Sequence, residues 1–166
     1  MRQPVPESAA FFAILASPIG LLSVLASSKG LTEIRFANHP NTLRDVEENE
    51  NEFIEAAIKQ LNEYFTRTRQ VFSLTLDEGG TDFQRSVWAA LRAIPFGETA
   101  SYGDIAKAIN NPNAARAVGM ANNRNPLPII TPCHRVIGSD GSLTGFGGGL
   151  DIKRWLLEHE RKFARE

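Results

Sequence analysis

Asp77-Glu78-Gly79-Gly80-Thr81-Asp82-Phe83-Gln84-Arg85-Ser86-Val87-Trp88 divides the chain into two halves of different character. Paired glycines after two acidic residues mark a linker. Thr81 and Gln84 then stand three positions apart ahead of an apolar run, the spacing of a capping box in which each side chain bonds the other residue's backbone N–H. A helix therefore starts here. The predicted division is a first domain over residues 1–77, a linker at 78–81 and a second domain over 82–166.

Upstream, the first nine residues, with Pro4 and Pro6, read as a loose terminus. Residues 11–16, 21–26 and 31–36 are short runs of β-branched, aliphatic and aromatic residues. They are separated by Ser17-Pro18-Ile19-Gly20 and Ser27-Ser28-Lys29-Gly30, the punctuation of turns, so the spacing predicts an antiparallel meander. A polar loop follows around residues 38–44. Phe53, Ile54, Ala57, Ile58, Leu61, Tyr64 and Phe65 recur at helical spacing behind a Glu-rich first turn. Phe72, Leu74 and Leu76 alternate with Ser73 and Thr75, the period of a half-buried strand. This half carries no evident chemistry, and His39 reads as a loop surface residue.

Downstream, the helix that begins at Thr81 continues through Val87, Trp88, Leu91 and Ile94 and breaks at Pro95-Phe96-Gly97. Ser101 and Asp104 repeat the capping pattern for a short helix over 102–109. A turn at Asn110-Asn111-Pro112-Asn113 leads into a helix over 114–122, giving a helix-turn-helix outline. Ala114, Ala115, Ala117, Gly119 and Ala121 leave that last helix little but backbone on its surface, so another body can come close. Arg116 is its long cationic side chain. A major-groove reader presents several polar groups to base edges; these are scarce here, and a minor-groove contact with Arg116 inserted into the stack fits better. The plainer alternative is an interior helix with Arg116 in a surface ion pair.

Thr131-Pro132-Cys133-His134-Arg135-Val136-Ile137 holds the single cysteine and one of three histidines. A thiol beside an imidazole is a potential nucleophile, because a neighbouring base or cation populates the thiolate. A lone cysteine in a soluble protein is more often a small buried hydrophobe than a reagent. Asn125, held extended by Pro126, has an amide able to fix the spacing between the small-residue helix and Cys133. It also reads as an ordinary turn residue. Ser139-Asp140-Gly141-Ser142 predicts a hairpin turn. Gly145-Phe146-Gly147-Gly148-Gly149 is a loop suited to a flat substrate, and it lacks the Lys and Ser/Thr of a phosphate-binding P-loop. A final helix spans about 151–163, with Ile152, Trp155, Leu156 and Phe163 inward; Glu160 near its end is placed to orient an imidazole or simply to face solvent.

Composition narrows the setting. One cysteine excludes an internal disulfide and argues against a structural zinc site, consistent with a reducing, cytoplasmic location. No apolar run approaches a membrane helix, and no basic-then-apolar leader opens the chain. Residues 1–80 carry 7 Lys or Arg against 11 Asp or Glu, whereas residues 81–166 carry 11 against 8, so only the second half suits an anionic partner.

Pro132-Cys133-His134-Arg135-Val136, preceded by Ala115-Arg116-Ala117-Val118-Gly119 and Asn125-Pro126 and followed by Gly148-Gly149 and Trp155-Leu156-Leu157-Glu158-His159-Glu160, resembles the O6-alkylguanine-DNA alkyltransferases. The ordered motifs run over residues 81–160; the first half resembles the family only in its pattern of strands and helix. The resemblance implies an α+β protein, with a small ribonuclease H-like antiparallel sheet and helix followed by a mainly helical, winged-helix-like DNA-binding domain. It implies a single-use methyltransferase of DNA repair in which Cys133 takes the alkyl group from O6 of a flipped guanine. His134 is then the base, through a water, and Glu160 orients it. Tyr102 helps protonate the departing guanine and crowds the neighbouring phosphate, Arg116 fills the space the base leaves, and Asn125 braces the two elements. Gln84, Arg85 and Ser139 match positions that touch DNA backbone in relatives. The implied partner is double-stranded DNA containing O6-alkylguanine, met through the minor groove by a monomer, with no metal and no cofactor. O4-alkylthymine stays open as a second substrate. Phe146 and Gly147 stand where many relatives have Tyr and some have Ser, and Arg161 stands where Gly is usual. The rival readings are a winged-helix or lesion-sensing module that binds without transfer, and a thiol hydrolase, which would need an oxyanion hole the sequence does not announce.

Overall fold

The computed structural model describes residues 11–39 and 48–164. The expected loose terminus and most of the expected polar loop around 38–44 lie outside the described residues. The chain separates into two compact units, one ending at Gly79 and one beginning at Gly80.

In the first unit β1 (Phe11–Ser17), β2 (Gly20–Ser27) and β3 (Gly30–Phe36) form an antiparallel meander in that order. The register pairs Ala13 with Val24 and Leu15 with Leu22 across β1 and β2, and Val24 with Ile34 and Leu22 with Phe36 across β2 and β3, so these apolar residues share one buried face. Helix α1 (Glu52–Phe65) closes that face with Ile54, Ala57, Leu61 and Tyr64. Asn51 caps it, its side chain accepting the Ile54 N–H at 3.1 Å.

The strand predicted over 72–76 does not form a ladder. Its alternation of half-buried and exposed residues is present, but it meets β3 only at one parallel bridge, Leu31 with Leu76. The buried side chain of Gln60 takes over the work of a neighbouring strand: it accepts the Ser73 N–H at 2.9 Å and donates to the Ser73 carbonyl at 3.1 Å. Gly30 lets the segment approach, since a Cβ there would lie 2.9 Å from the Thr75 carbonyl oxygen.

The second unit contains α2 (Asp82–Arg92), β4 (Ala100–Ser101), α3 (Tyr102–Ala108), α4 (Ala115–Asn123), a 3-10 turn (Cys133–Arg135), β5 (Val136–Ile137) and α5 (Leu150–Ala164). Both predicted capping boxes are made, Thr81 with Gln84 and Ser101 with Asp104. Val87, Trp88 and Leu91 of α2 pack with Ile105, Val118 and Cys133 into one core. The indole N–H of Trp88 donates to the Ala121 carbonyl at 2.9 Å, satisfying a buried donor and tying α2 to α4. The turn predicted at 139–142 closes, with the Gly138 N–H donating to the Ser142 carbonyl at 2.8 Å, but no hairpin flanks it. Instead β5 pairs in parallel with β4, which carries the chain from the cysteine turn back to the start of α3.

Candidate active site

Cys133 sits on a rigid approach. Ile129, fully buried, holds a left-handed φ of 74°, an uncommon and costly conformation for a β-branched residue. The Thr131 N–H bonds the Leu127 carbonyl at 2.8 Å, and Arg92 donates to the Thr131 hydroxyl at 2.9 Å. Asn125 spans the bend: its Oδ1 accepts the Leu127 N–H at 3.0 Å and its Nδ2 donates to the Thr131 carbonyl at 2.8 Å. One amide thereby links the end of α4 to the residue two before the sulfur. Burial pushes the Cys133 thiol up to about 11, offset only in part by a hydrogen bond from Asn125 and the charge of Lys153. Desolvation thus outweighs the neighbouring groups and favours the protonated sulfur.

His134, the next residue, is completely buried, and its Nε2 lies 2.7 Å from Glu160 Oε2 on α5. Arg135 grips the same carboxylate with both arms of its fork, Nε to Oε1 at 2.8 Å and Nη2 to Oε2 at 3.0 Å, and its Nη1 donates to the Ile94 carbonyl at 2.7 Å. Burial opposes ionisation of Glu160, but His134 and Arg135 outweigh it and hold the carboxyl well below its usual range. Burial also lowers the His134 imidazole against the pull of Glu160, so the ring is neutral. An ionised carboxylate only accepts, so Nε2 carries the ring hydrogen and Nδ1 carries a lone pair. That Nδ1 is buried and has no hydrogen-bond partner among the described residues.

Lys153 of α5 is fully buried and donates from Nζ to the Val136 carbonyl at 2.7 Å and the Thr144 carbonyl at 2.9 Å. Burial pulls its ammonium down, and negative charge on the Cys133 sulfur opposes that pull. Tyr102, at the start of α3, has its ring over α4, where a Cβ on Gly119 would touch it at 3.7 Å, and its hydroxyl bonds the Thr144 hydroxyl. Cys133, His134, Glu160 and Asn125 thus share one connected interior, and Tyr102 joins it through Thr144 and Lys153.

The remaining predicted residues lie outside that interior. Arg116 and Ala117 are exposed on α4, as are Met120 and Asn123, and Arg116 is the one long cationic side chain within the helix; Arg124, also exposed, caps its C-terminus. Thr81, Phe83, Gln84, Ala117, Met120 and Arg124 line an open groove of about 200 Å³ between α2 and α4. Arg85 is exposed and bonds Gly80 O and Asp82, and Ser139 is exposed in its turn. Sequence reasoning missed Arg135, Lys153 and Thr144. Arg135 stood within the quoted motif, and Lys153 fell on the buried face of α5, three residues from Leu156; Thr144 had no signal.

No group of three or more His, Cys, Asp or Glu among the described residues is arranged to hold a metal, and no described helix is long and apolar enough to cross a membrane. Residues 82–162 match the 6-O-methylguanine DNA methyltransferase, DNA binding domain, and residues 11–78 match the 6-O-methylguanine DNA methyltransferase, ribonuclease-like domain. A methylated-DNA–protein-cysteine methyltransferase of Methanosarcina acetivorans is 49% identical over 153 residues, 90% of this chain and 97% of that one. One from Mycobacterium tuberculosis is 48% identical over 149 residues, covering 89% of this chain and 90% of its own. The crystal structure of M. tuberculosis OGT in complex with DNA has a TM-score of 0.85 at 46% identity, with 93% of this chain and 94% of that chain covered. Both halves match in order and over nearly their whole length, and the chain belongs to the methylated-DNA–protein-cysteine methyltransferase family.

Proposed function

We propose that this protein repairs O6-alkylguanine in double-stranded DNA by moving the alkyl group irreversibly to Cys133. The observation that carries the residue assignment is the lone-pair nitrogen of His134, buried and unpartnered one residue from a protonated thiol, while its other nitrogen is tied to an ionised Glu160. Such an imidazole is a base held in one tautomer. His134 Nδ1 takes the thiol proton through one water. The sulfur attacks the alkyl carbon, the sulfur–carbon bond forms as the carbon–O6 bond breaks, and the electron pair passes into the guanine ring. Tyr102 gives a proton to the departing base and recovers one from His134. The net change is thiol plus alkylguanine to thioether plus guanine.

A cysteine only 6% exposed does not reach a stacked base, so the target nucleotide leaves the duplex. Arg116, exposed on a helix face whose neighbour Ala117 permits close approach, takes the vacated space from the minor groove. Gln84, Arg85 and Ser139 meet the sugar-phosphate backbone. Lys153 offsets charge on the sulfur as the proton leaves. A thioether has no good leaving group, so Cys133 is consumed.

The test is to incubate the protein with a duplex containing O6-methylguanine and weigh its tryptic peptides. One methyl group on the Cys133 peptide, at no more than one equivalent per chain, is expected. Turnover beyond one equivalent points to hydrolysis and overturns the proposal; retained DNA binding with no transfer points to a lesion sensor and overturns it as well.

A further inference from the structure

The geometry points to Thr144 as a positioning residue for the transfer step: its hydroxyl directs the phenolic proton of Tyr102 toward the departing guanine. The inference rests on the proton-donor reading of Tyr102 given above. Thr144 lies in the stretch between the 139–142 turn and α5, where a side chain would ordinarily be a free rotor. Here the residue is fixed at both ends. Its carbonyl accepts from Lys153 Nζ at 2.9 Å, and the same ammonium, fully buried, donates to Val136 at 2.7 Å in the strand that follows the cysteine turn. Its hydroxyl bonds Tyr102 Oη. The Tyr102 ring is in turn held against α4 at Gly119. With both backbones and the ring fixed, the remaining freedom in the pair is which hydroxyl donates.

A phenol and an alcohol each bring one hydrogen and can each accept. If Tyr102 donates to Thr144, its proton is not available to a base. If Thr144 donates to Tyr102, the phenolic hydrogen points away from Thr144. A base with an acceptor nitrogen selects the second arrangement, because a chain of two hydrogen bonds running from Thr144 through Tyr102 to the base polarises in one direction. The same Thr144 donor stabilises the negative charge that develops on Oη as the proton is given up. Proton and electrons balance as before: Thr144 keeps its own hydrogen, Tyr102 loses one to the ring as the carbon–O6 bond breaks, and His134 returns one. The β-branch of Thr144 restricts the side chain to few rotamers, which suits an orienting role.

The test measures the single-turnover rate constant at saturating duplex and the duplex Kd separately, for Thr144→Val, Thr144→Ser, Tyr102→Phe and the Tyr102→Phe/Thr144→Val double variant of the full chain. Loss of one hydrogen bond made best in the transition state predicts a rate constant about tenfold lower for Thr144→Val. The Kd should change less than about twofold, Thr144→Ser should recover most of the rate, and the double variant should be no slower than Tyr102→Phe. Thr144→Ala supplies the same deletion if the valine variant folds poorly. Unchanged transfer in Thr144→Val or Thr144→Ala with slow transfer in Tyr102→Phe overturns the inference and leaves the Tyr102 reading standing. Additive losses in the double variant, or a rise in Kd that accounts for the whole effect, also overturn it. Full activity in Tyr102→Phe removes the reading on which it rests.

Discussion

The two units bury polarity in different ways. In the described part of the first unit the buried polar side chains are Arg35 and Gln60, and each has a partner close by: Arg35 meets Glu33 at 3.0 Å, and Gln60 pairs with the backbone of Ser73. In the second unit His134, Arg135, Lys153, His159 and Glu160 are all buried, and four of them form ties between elements far apart in sequence. Taking a charge out of water costs several kcal/mol, and pairing returns that only when geometry is good and every donor is met. The first unit is a scaffold that folds around hydrocarbon. The second accepts a charged interior, and that interior is where Cys133 and His134 lie.

The largest break in this contrast comes from Glu160→Gln. It removes the carboxylate that Arg135 and His134 share, leaving a buried guanidinium without its counter-ion, and a loss of about 3–5 kcal/mol is expected. The His134 tautomer also loses its anchor, so transfer should fall with stability. Denaturant unfolding checks the first part: a loss under about 1 kcal/mol would place this pair with ordinary surface ion pairs and erase the distinction between the units.

A smaller effect appears in the pH profile of stability. Cys133 is raised from 9.0 to about 11, so the folded protein keeps a proton that the unfolded chain releases. Its contribution is complete below pH 9 and is lost as pH rises through 11, roughly 2–3 kcal/mol in all. His134 and Glu160 are both lowered, from 6.5 and 4.5, so their contributions are present at neutral pH and are lost as pH falls below those values. Cys133→Ala should flatten the alkaline limb of the unfolding free energy and leave the acid limb in place. An alkaline limb unaltered by the substitution would mean that the thiol is not held protonated by burial.

Much of the scaffold was legible because its signals are local. The capping boxes at Thr81–Gln84 and Ser101–Asp104, the meander and the apolar face of α1 each depend on residues within a turn or a strand of one another. Residues 72–76 misled because period-two alternation reports which side chains face inward, not what satisfies the backbone; there it is the Gln60 side chain. The turn at 139–142 was placed correctly, but strand pairing is non-local and ran to β4 instead. At the site the same limit applies. His134 beside Cys133 is visible in the chain, whereas Lys153 joining Val136 to Thr144, and the desolvation that raises the thiol, arise only when distant segments close around them.

Arg116→Ala tests the other end of the contrast, with the smallest expected change in stability. Arg116 is exposed, stands on a face of α4 flanked by Ala117 and Met120, and lies apart from the buried network, so the unfolding midpoint should not move. Repair should nevertheless suffer. If the side chain fills the space of the extruded base, its removal withdraws support from the flipped state, and duplex repair should fall by about tenfold or more. Reaction with free O6-alkylguanine base needs no flipping and should stay within about twofold of wild type. Equal losses on duplex and free base would assign Arg116 to the integrity of the site rather than to extrusion. Separate outcomes would put the two halves of the task on different physical footing: the interior prepares the nucleophile through buried charge, and the exposed face of α4 delivers the substrate with almost no stake in the fold.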